Sequence, residues 1–200
     1  MGSDAVRLLV ASSNRGKVAE ITRLLAGLPV EVVGLDQYPD LPDTDEPHDT
    51  FRANAEHKAL LAAQSAGCLA LADDSGLEVV ALGGRPGVLS ARYGRDDAER
   101  IGRLLAELDG VSDRRARFVC VVALAGPQGI LGAWEGTVEG VITEAPRGTN
   151  GFGFDPVFLH GDRTLAELTS DEKNAVSHRG RALRAFAADL PGLLHGLCSA

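Results

Sequence analysis

Two adjacent acids inside an apolar stretch constrain the fold of this chain most strongly. Asp73 and Asp74 follow the apolar run 68–71 and precede a second apolar run at 77–82. A buried carboxylate without a partner is costly or must bind a proton. Two interpretations therefore stay open: a solvated turn built on Ser75 and Gly76, or a strand that carries a carboxylate to a cleft as a metal ligand or general base. Because consecutive strand residues point to opposite faces, only one of the two acids would face that cleft.

Length and composition describe an ordinary globular protein. The chain has 200 residues, of which 44% are hydrophobic and 24% charged, and such a chain can form one domain with a sizeable core. The net charge of −8 argues against binding of a nucleic-acid polymer or an anionic membrane through overall charge. The three cysteines lack metal or redox spacing, no apolar run has the length of a membrane span, and the N-terminus lacks a basic signal-peptide region. We expect a cytoplasmic protein.

The spacing of apolar residues predicts alternating strands and helices, followed by a β-hairpin and two further helices. A local hairpin after strand-helix-strand units indicates a mixed sheet, and thus an α/β fold. The predicted segments, in chain order, are a strand at 6–11, a helix with Val18, Ile21, Leu24 and Leu25 on one face, a strand at 30–35, a helix at 51–66, the strand at 68–71, a helix at 96–108, strands at 118–124 and 130–141, a helix at 165–174 and a helix at 181–190.

The first strand leads into a segment suited to anion binding. Unpaired amides and the positive end of the helix dipole converge where a small-residue loop starts a helix, and Lys17 adds a positive charge there. The segment is not a Walker A loop, because the first glycine is missing and Val18 follows the lysine. An ordinary turn is the alternative interpretation. The segment consists of Ser12, Ser13, Asn14, Arg15, Gly16 and Lys17.

A long acidic loop at 36–49 precedes the second helix. It is either a solvated connector or a functional loop, since long loops in compact domains are often functional. Asp49 or Thr50 is expected to cap the helix that begins at Phe51. Within this helix Asn54 and Lys58 lie one turn apart on one face, where we expect exposed side chains.

The C-terminal half contains a glycine-rich aromatic stretch and a group of cations. Phe152 and Phe154 lie among glycines, and they either anchor a loop or form a floor on which a flat ring stacks. Lys173, His178 and Arg179 are either capping and surface charges or donors to an anionic ligand. A phosphate loop, an aromatic floor and paired carboxylates together would suit a magnesium-bound nucleotide, because Mg²⁺ is commonly held by one or two carboxylates plus substrate phosphates.

Six motifs, found in order from residue 7 to about 190, resemble those of the inosine/xanthosine triphosphate pyrophosphatase family. This resemblance implies one domain over residues 1–200 with an elongated mixed β-sheet, flanking helices and two lobes around a central active-site cleft. It also implies a homodimer. The motifs are Ser12-x-Asn14-x-Gly16-Lys17, Phe51-x-x-Asn54-Ala55-x-x-Lys58-Ala59, Ala72-Asp73-Asp74-Ser75-Gly76-Leu77, Gly87-x-x-Ser90-Ala91-Arg92-Tyr93, Gly151-Phe152-Gly153-Phe154-Asp155-Pro156 and Ser177-His178-Arg179-Gly180.

The resemblance further implies a Mg²⁺-dependent hydrolase that cleaves ITP, dITP and XTP to the monophosphate and pyrophosphate. Asp74 would be the general base and a magnesium ligand, and we expect its pKa to be lowered beside Mg²⁺. Glu46 would be the second magnesium ligand, with Asp45 or Asp49 as alternatives. Ser12 to Lys17 would bind the triphosphate and Ser75 the substrate, and the nucleoside would be bound by Phe152, Gly153, Phe154, Asp155, Lys173, His178 and Arg179. The family commonly has Tyr where Phe154 stands.

Two other functions compete with this one. The first is a catalytically silent nucleotide-binding module, against which the presence of Lys17, Asp73 and Asp74 argues. The second is a septum-inhibitor-like (Maf-like) pyrophosphatase that acts on pyrimidine or modified nucleotides. The Ser177-His178-Arg179 segment and the aromatic stretch favour the purine substrate over it.

Overall fold

A seven-stranded mixed sheet runs through the computed structural model, which describes residues 6–39, 41 and 45–198. The strand order is β2-β1-β3-β4-β5-β6-β7. β1 pairs in parallel with β2 and β3, whereas β5–β6 and β6–β7 are antiparallel, so the predicted mixed sheet is confirmed. The strands are β1 (Val6–Val10), β2 (Val30–Gly34), β3 (Leu69–Val79), β4 (Arg115–Gly126), β5 (Gly129–Ile142), β6 (Phe158–His160) and β7 (Arg163–Thr164).

Five α-helices accompany the sheet in the described part of the chain. They are α1 (Arg15–Leu24), α2 (Phe51–Ala66), α3 (Asp97–Glu107), α4 (Ser170–Val176) and α5 (His178–Cys198). α2 has the predicted bounds because both of its ends carry local signals. The Thr50 hydroxyl accepts a hydrogen bond from the amide of Ala53 at 3.2 Å, and Gly67 ends the helix in the left-handed region at φ +64°. None of these helices combines the length and the apolar character that a membrane span needs.

β3 continues without interruption through the two adjacent acids, from Leu69 to Val79. The interpretation of Ser75 and Gly76 as a solvated turn is therefore wrong. Asp73 and Asp74 are 2% and 3% exposed, so both lie in the interior of the protein. Each forms an ion pair with a lysine, which offsets part of the cost of burying a carboxylate.

The predicted helix at 165–174 is two separate elements. A 3₁₀ helix covers Leu165–Glu167, and α4 begins at Ser170. Each starts with its own capping box, Thr164 with Glu167 and Thr169 with Glu172, so the second box starts a new helix. Thr169 is thus the cap of α4.

The last helix is longer than predicted. It begins at His178, where the Ser177 hydroxyl accepts a hydrogen bond from the amide of Gly180 at 3.1 Å, and it extends to Cys198. Leu183, Phe186 and Leu190 of this helix are buried.

The chain forms two compact units. The first unit comprises 1–74, 121–135 and 182–200, and the second comprises 75–120 and 136–181. Buried residues of the first unit include Leu8, Leu9, Ile21, Ala55 and Phe186. The second unit has a core that includes Leu77, Leu104, Phe118, Phe154 and Phe158. One domain over residues 1–200 stays a prediction, and Asp40, Pro42 and Asp43 of the acidic loop, together with residues 1–5, lie outside the described residues.

Candidate active site

The predicted phosphate segment connects β1 to α1, and its asparagine caps the helix. Asn14 Oδ1 accepts hydrogen bonds from the amides of Gly16 and Lys17 at 3.0 and 3.2 Å. The prediction that the amides at this helix start are unpaired is therefore wrong for these two, because the cap occupies them. Ser13, Asn14 and Arg15 are exposed, while Ser12 is half-buried with its hydroxyl accepting from the amide of Asn14 at 3.3 Å.

Lys17 forms an ion pair with the first of the two acids. Its Nζ lies 3.1 Å from Asp73 Oδ2, with the lysine side chain 16% exposed and the aspartate side chain fully buried. Asp73 thus has a specific charge partner, and it holds the ammonium group at the first turn of α1.

Asp74 is held through both of its oxygens by one face of α2. Lys58 Nζ donates to Oδ1 at 3.3 Å, and Asn54 Nδ2 donates to Oδ2 at 3.2 Å. Lys58 also donates to Glu46 Oε1 at 2.7 Å, so a single ammonium group contacts both predicted magnesium ligands. Asp45 and Asp49, the alternatives to Glu46, are exposed.

The expectation that Asn54 and Lys58 are exposed is wrong, since they are 0% and 6% exposed. A signal for their burial was present in the sequence. Both positions belong to the stripe, spaced three and four residues apart, that this helix buries. A polar pair inside such a stripe indicates buried polar partners elsewhere in the fold. The buried residues of α2 are Phe51, Asn54, Ala55, Lys58, Ala59, Ala62 and Ala63.

Burial dominates the titration of Asp74. It raises the pKa of this carboxyl to about 6, although Lys58, Lys17 and the Asn54 hydrogen bond act to lower it. The protein groups alone thus do not produce the lowered pKa predicted for Asp74 beside Mg²⁺. Burial also acts to raise the pKa of Glu46, but Lys58 and Lys17 lower it below its ordinary value. Burial acts to lower the pKa of Lys58, and Asp74, Asp73 and Glu46 outweigh it and raise that pKa.

The donor set around Lys58 fits a hard divalent cation that is only partly bound by protein. Glu46 and Asp74 direct carboxylate oxygens at one cationic group, and Mg²⁺ commonly takes one or two carboxylates with the remaining positions filled by phosphates and water. Across the described residues, no group of three or more His, Cys, Asp and Glu side chains is arranged to hold a metal ion.

In the second unit, Asp155 organises the loop around Phe152. Its buried carboxylate accepts hydrogen bonds from the amide of Phe152 at 2.9 Å and from Lys173 Nζ at 2.6 Å. Gly151 has a φ of +76°, and a side chain there would collide with this carboxylate. Lys173 Nζ then lies 4.5 Å from the centre of the Phe152 ring, a cation–π distance.

The two phenylalanines of the aromatic stretch have different environments. Phe154 is 4% exposed and belongs to the core of the second unit, where its ring meets Tyr93 edge to face at a centroid distance of 6.3 Å. Phe152 is only half-buried. The amide of Gly153, between them, donates to Asp97 Oδ2 at 2.7 Å. Phe152 therefore retains an accessible ring, whereas Phe154 anchors the loop.

His178 and Arg179 are buried, so their interpretation as surface charges is wrong. They are 5% and 2% exposed. The His178 ring stacks on Phe118 at a centroid distance of 4.6 Å and an interplanar angle of 10°. Arg179 Nη2 donates to Ser75 Oγ at 3.0 Å, and its guanidinium lies 5.6 Å from the centre of the Phe152 ring.

The predicted site residues thus form two groups, one in each unit. In the first unit the structure brings together Lys17, Glu46, Asp73 and Asp74. In the second unit it brings together Ser75, Phe152, Asp155, Lys173 and Arg179. Sequence reasoning assigned no role to Asn54, Lys58 and Asp97, each of which contacts one of these groups.

Comparison with known proteins gives one consistent result. The family model described as Ham1 family matches residues 8–189. The dITP/XTP pyrophosphatase of Syntrophobacter fumaroxidans is 51% identical over 181 residues, which cover 88% of this chain and 78% of that protein. The protein of the same name from Exiguobacterium sp. is 48% identical over 198 residues, 96% of this chain and 100% of that protein.

Solved structures agree with the family model. A HAM1 protein from Coxiella burnetii superposes with a TM-score of 0.86 at 43% identity, covering 94% of this chain and 99% of that one. A nucleoside-triphosphatase / dITP/XTP pyrophosphatase from Mycobacterium abscessus gives a TM-score of 0.72 at 46% identity, covering 90% and 98%. The predicted α/β class is therefore supported by both the strand topology and these neighbours.

Proposed function

The chain belongs to the Ham1 family, and on that premise we propose that it is a nucleoside triphosphate pyrophosphohydrolase. Its substrates are dITP, XTP and ITP, which it cleaves between the α and β phosphates to the monophosphate and pyrophosphate. The observation that supports the proposal is the buried carboxylate of Asp74, whose two oxygens are each held by a hydrogen bond. The chain is also 51% identical to a dITP/XTP pyrophosphatase. The reaction removes deaminated purine nucleotides from the precursor pool.

Glu46 and Asp74 are the residues that would hold Mg²⁺, because both carboxylates already contact one cationic group. When bound, the cation would offset negative charge on the triphosphate and on the leaving pyrophosphate. Lys17 and the residues Ser12 to Gly16 would bind the phosphates. The exposed side chains of Ser13, Asn14 and Arg15 support this assignment, since they are accessible to an anion.

Asp74 would act as the general base. Its pKa of about 6 leaves it mostly ionised at neutral pH, so it can accept a proton from the attacking water. Water attacks phosphorus, the anhydride bond between the α and β phosphates breaks, and pyrophosphate leaves. Lys58 and Asn54 keep the carboxylate in one orientation while this happens.

The second-unit residues would bind the nucleoside. Phe152 offers a ring face for stacking, and Asp155 acts indirectly by holding Lys173 near that ring. Gly153 and Phe154 would support the loop, while Ser75, His178 and Arg179 would contact the substrate. Hypoxanthine and xanthine carry an acceptor oxygen at the position where adenine carries an amino donor. A site that offers donors there can reject adenine nucleotides by up to roughly 10⁴-fold, because the mismatched group would stay unpaired.

Pyrophosphate release from a panel of nucleotides tests this function. We expect rapid release from ITP, dITP and XTP with Mg²⁺, little release from GTP and ATP, and none in EDTA. Preference for dTTP, UTP or a modified pyrimidine nucleotide would instead support the septum-inhibitor-like enzyme. Binding of ITP without any release would support the silent module. The cytoplasmic location and the homodimer stay predictions, and we propose neither a nucleic-acid polymer nor a membrane as a partner.

A further inference from the structure

Asn54 is a buried amide whose hydrogen-bonding groups all have partners. It is 0% exposed, near the start of α2. Its Oδ1 accepts from the amide of His48 at 2.9 Å, and its Nδ2 donates to the carbonyl of His48 at 3.0 Å. The same Nδ2 donates to Asp74 Oδ2 at 3.2 Å. One side chain thus connects the end of the acidic loop to a carboxylate on β3, an interior strand of the sheet.

The contact to Asp74 restricts a torsion that is otherwise soft. The χ2 angle of an aspartate has a broad distribution, so a carboxylate bound through one oxygen can still rotate. Here Asn54 holds Oδ2 and Lys58 holds Oδ1. Because these donors lie one turn apart on one rigid helix, the plane of the carboxylate is set by α2.

The contact to His48 fixes the position of Glu46. The pair of hydrogen bonds to the backbone of His48 resembles the pairing of two strands, and it depends on no side chain of that residue. Glu46 lies two residues earlier and contacts Lys58 at 2.7 Å. Asn54 and Lys58 therefore each join the acidic loop to Asp74, and together they define how far apart the two carboxylates lie.

We propose that Asn54 is a positioning residue, which orients Asp74 and holds the Glu46–His48 segment against it for cation binding and water attack. This inference rests on the proposed function. A purely structural role would instead require only the two hydrogen bonds to His48. Removal of the donor Nδ2 while an acceptor for the His48 amide is kept tests the positioning role, because one of the two bonds to the His48 backbone is then retained and the bond to Asp74 is lost.

Two variants provide that test. Asn54→Ala removes all three hydrogen bonds, whereas Asn54→Asp keeps an acceptor for the His48 amide, loses both bonds donated by Nδ2 and places a second carboxylate beside Asp74. We expect kcat for ITP to fall by about 10- to 100-fold in both, with KM changed by less than about threefold, because the lost contacts act on the reacting group rather than on substrate binding. We expect amide hydrogen exchange at His48 to accelerate in the Ala variant.

A second readout does not depend on turnover. Binding of Mn²⁺ alone, followed by electron paramagnetic resonance, should be about tenfold weaker in Asn54→Ala than in the unmodified protein. If the unmodified protein released no pyrophosphate from any nucleotide, the proposed function would fail, whereas this comparison would still decide the role of Asn54. Equal Mn²⁺ affinity in the two proteins would overturn the positioning role.

Two control variants keep the test specific. Thr50→Ala removes the cap of the same helix, so it should lower the melting temperature while leaving kcat unchanged. Arg52→Ala removes an exposed ion pair with Glu56 on the same helix, so it should leave both unchanged. An Asn54→Asp protein with kcat within about twofold of the unmodified protein would show that the donor to Asp74 is dispensable, and would overturn the inference.

Discussion

At Asp74, burial and the neighbouring cations act in opposite directions on one carboxylate. Burial raises its pKa, and Lys58, Lys17 and the Asn54 amide lower it, with a net value of about 6. A residue of this kind is unfavourable for the fold when ionised, but it is suited to accept a proton near neutral pH. Stability and the proposed function therefore conflict at this position.

The conflict predicts a specific pH dependence for Asp74→Asn. The ordinary pKa of the aspartate is 3.8 and the folded value is about 6. Between these values the folded protein binds more protons than the unfolded chain, so ionisation of Asp74 makes the unmodified protein less stable as pH rises. Asn does not ionise, so the variant does not lose stability in this way as pH rises. Its unfolding free energy relative to the unmodified protein should increase by on the order of 2 kcal/mol from pH 4 to pH 7.

Urea denaturation of both proteins in EDTA across this pH range measures the difference between their unfolding free energies. Loss of a partner for Lys58 shifts this difference by the same amount at every pH, so the test reads only its change with pH. A difference that is flat or falls with pH would contradict the raised pKa of Asp74.

In the presence of Mg²⁺, the same variant should lose about 10²- to 10⁴-fold in kcat for ITP, as expected for loss of a general base.

At the scale of secondary-structure elements, one arginine joins the ends of a helix and a strand in the second unit. Arg114 donates to the carbonyls of Leu108 at 2.8 Å, Ile142 at 2.7 Å and Thr143 at 2.9 Å. Leu108 caps α3, and Ile142 is the last residue of β5. A planar guanidinium can satisfy three separate carbonyls, which the ammonium group of lysine does less well.

Arg114→Ala should therefore destabilise the protein by about 2 to 4 kcal/mol, since hydrogen bonds to charged groups are among the stronger ones. Arg114→Lys should recover only part of this loss. The matched control is Arg115→Ala, which removes an exposed ion pair with Asp113 and should leave stability close to that of the unmodified protein. Equal unfolding midpoints in urea for the two alanine variants would contradict the role assigned to Arg114.

At the scale of the whole molecule, the ion pairs of the candidate site join residues far apart in the chain. Lys17 pairs with Asp73, Lys58 with Asp74, and Lys173 with Asp155. In a chain with a net charge of −8, these lysines are buried or nearly so beside acids that balance their charge, so the pairs fix the positions of the ammonium groups rather than supply a net positive charge.

The assembly of whole chains is also predicted. The family resemblance implies a homodimer, and twice the chain mass of 20.9 kDa gives about 42 kDa. Sedimentation equilibrium at micromolar concentration, with and without Mg²⁺, should return that mass. A value near 20.9 kDa over the whole concentration range would show that the dimer prediction is wrong.

The sequence by itself determined the features that depend on neighbouring residues. Thr50 and Gly67 define α2, and the adjacent acids marked β3 as unusual. Capping, turn chemistry and apolar periodicity act over a few residues and can therefore be recognised without the fold. The motifs added the family and its chemistry, because several motifs found in order are far more specific than any one of them.

Only the tertiary structure decided which side chains meet. It buried Asn54 and Lys58 beside Asp74, and it gave Phe154 to the core while leaving Phe152 accessible. The apolar stripe of α2 indicates that Asn54 and Lys58 lie on its buried face, but local patterns do not identify the groups that this face meets. The partner of a buried polar side chain comes from a distant part of the chain. Sheet order, for example, brings β1 beside β3, and Lys17, which follows β1, pairs with Asp73 of β3. The free energy of a buried polar group depends on that partner, so its role becomes visible only once the fold is known.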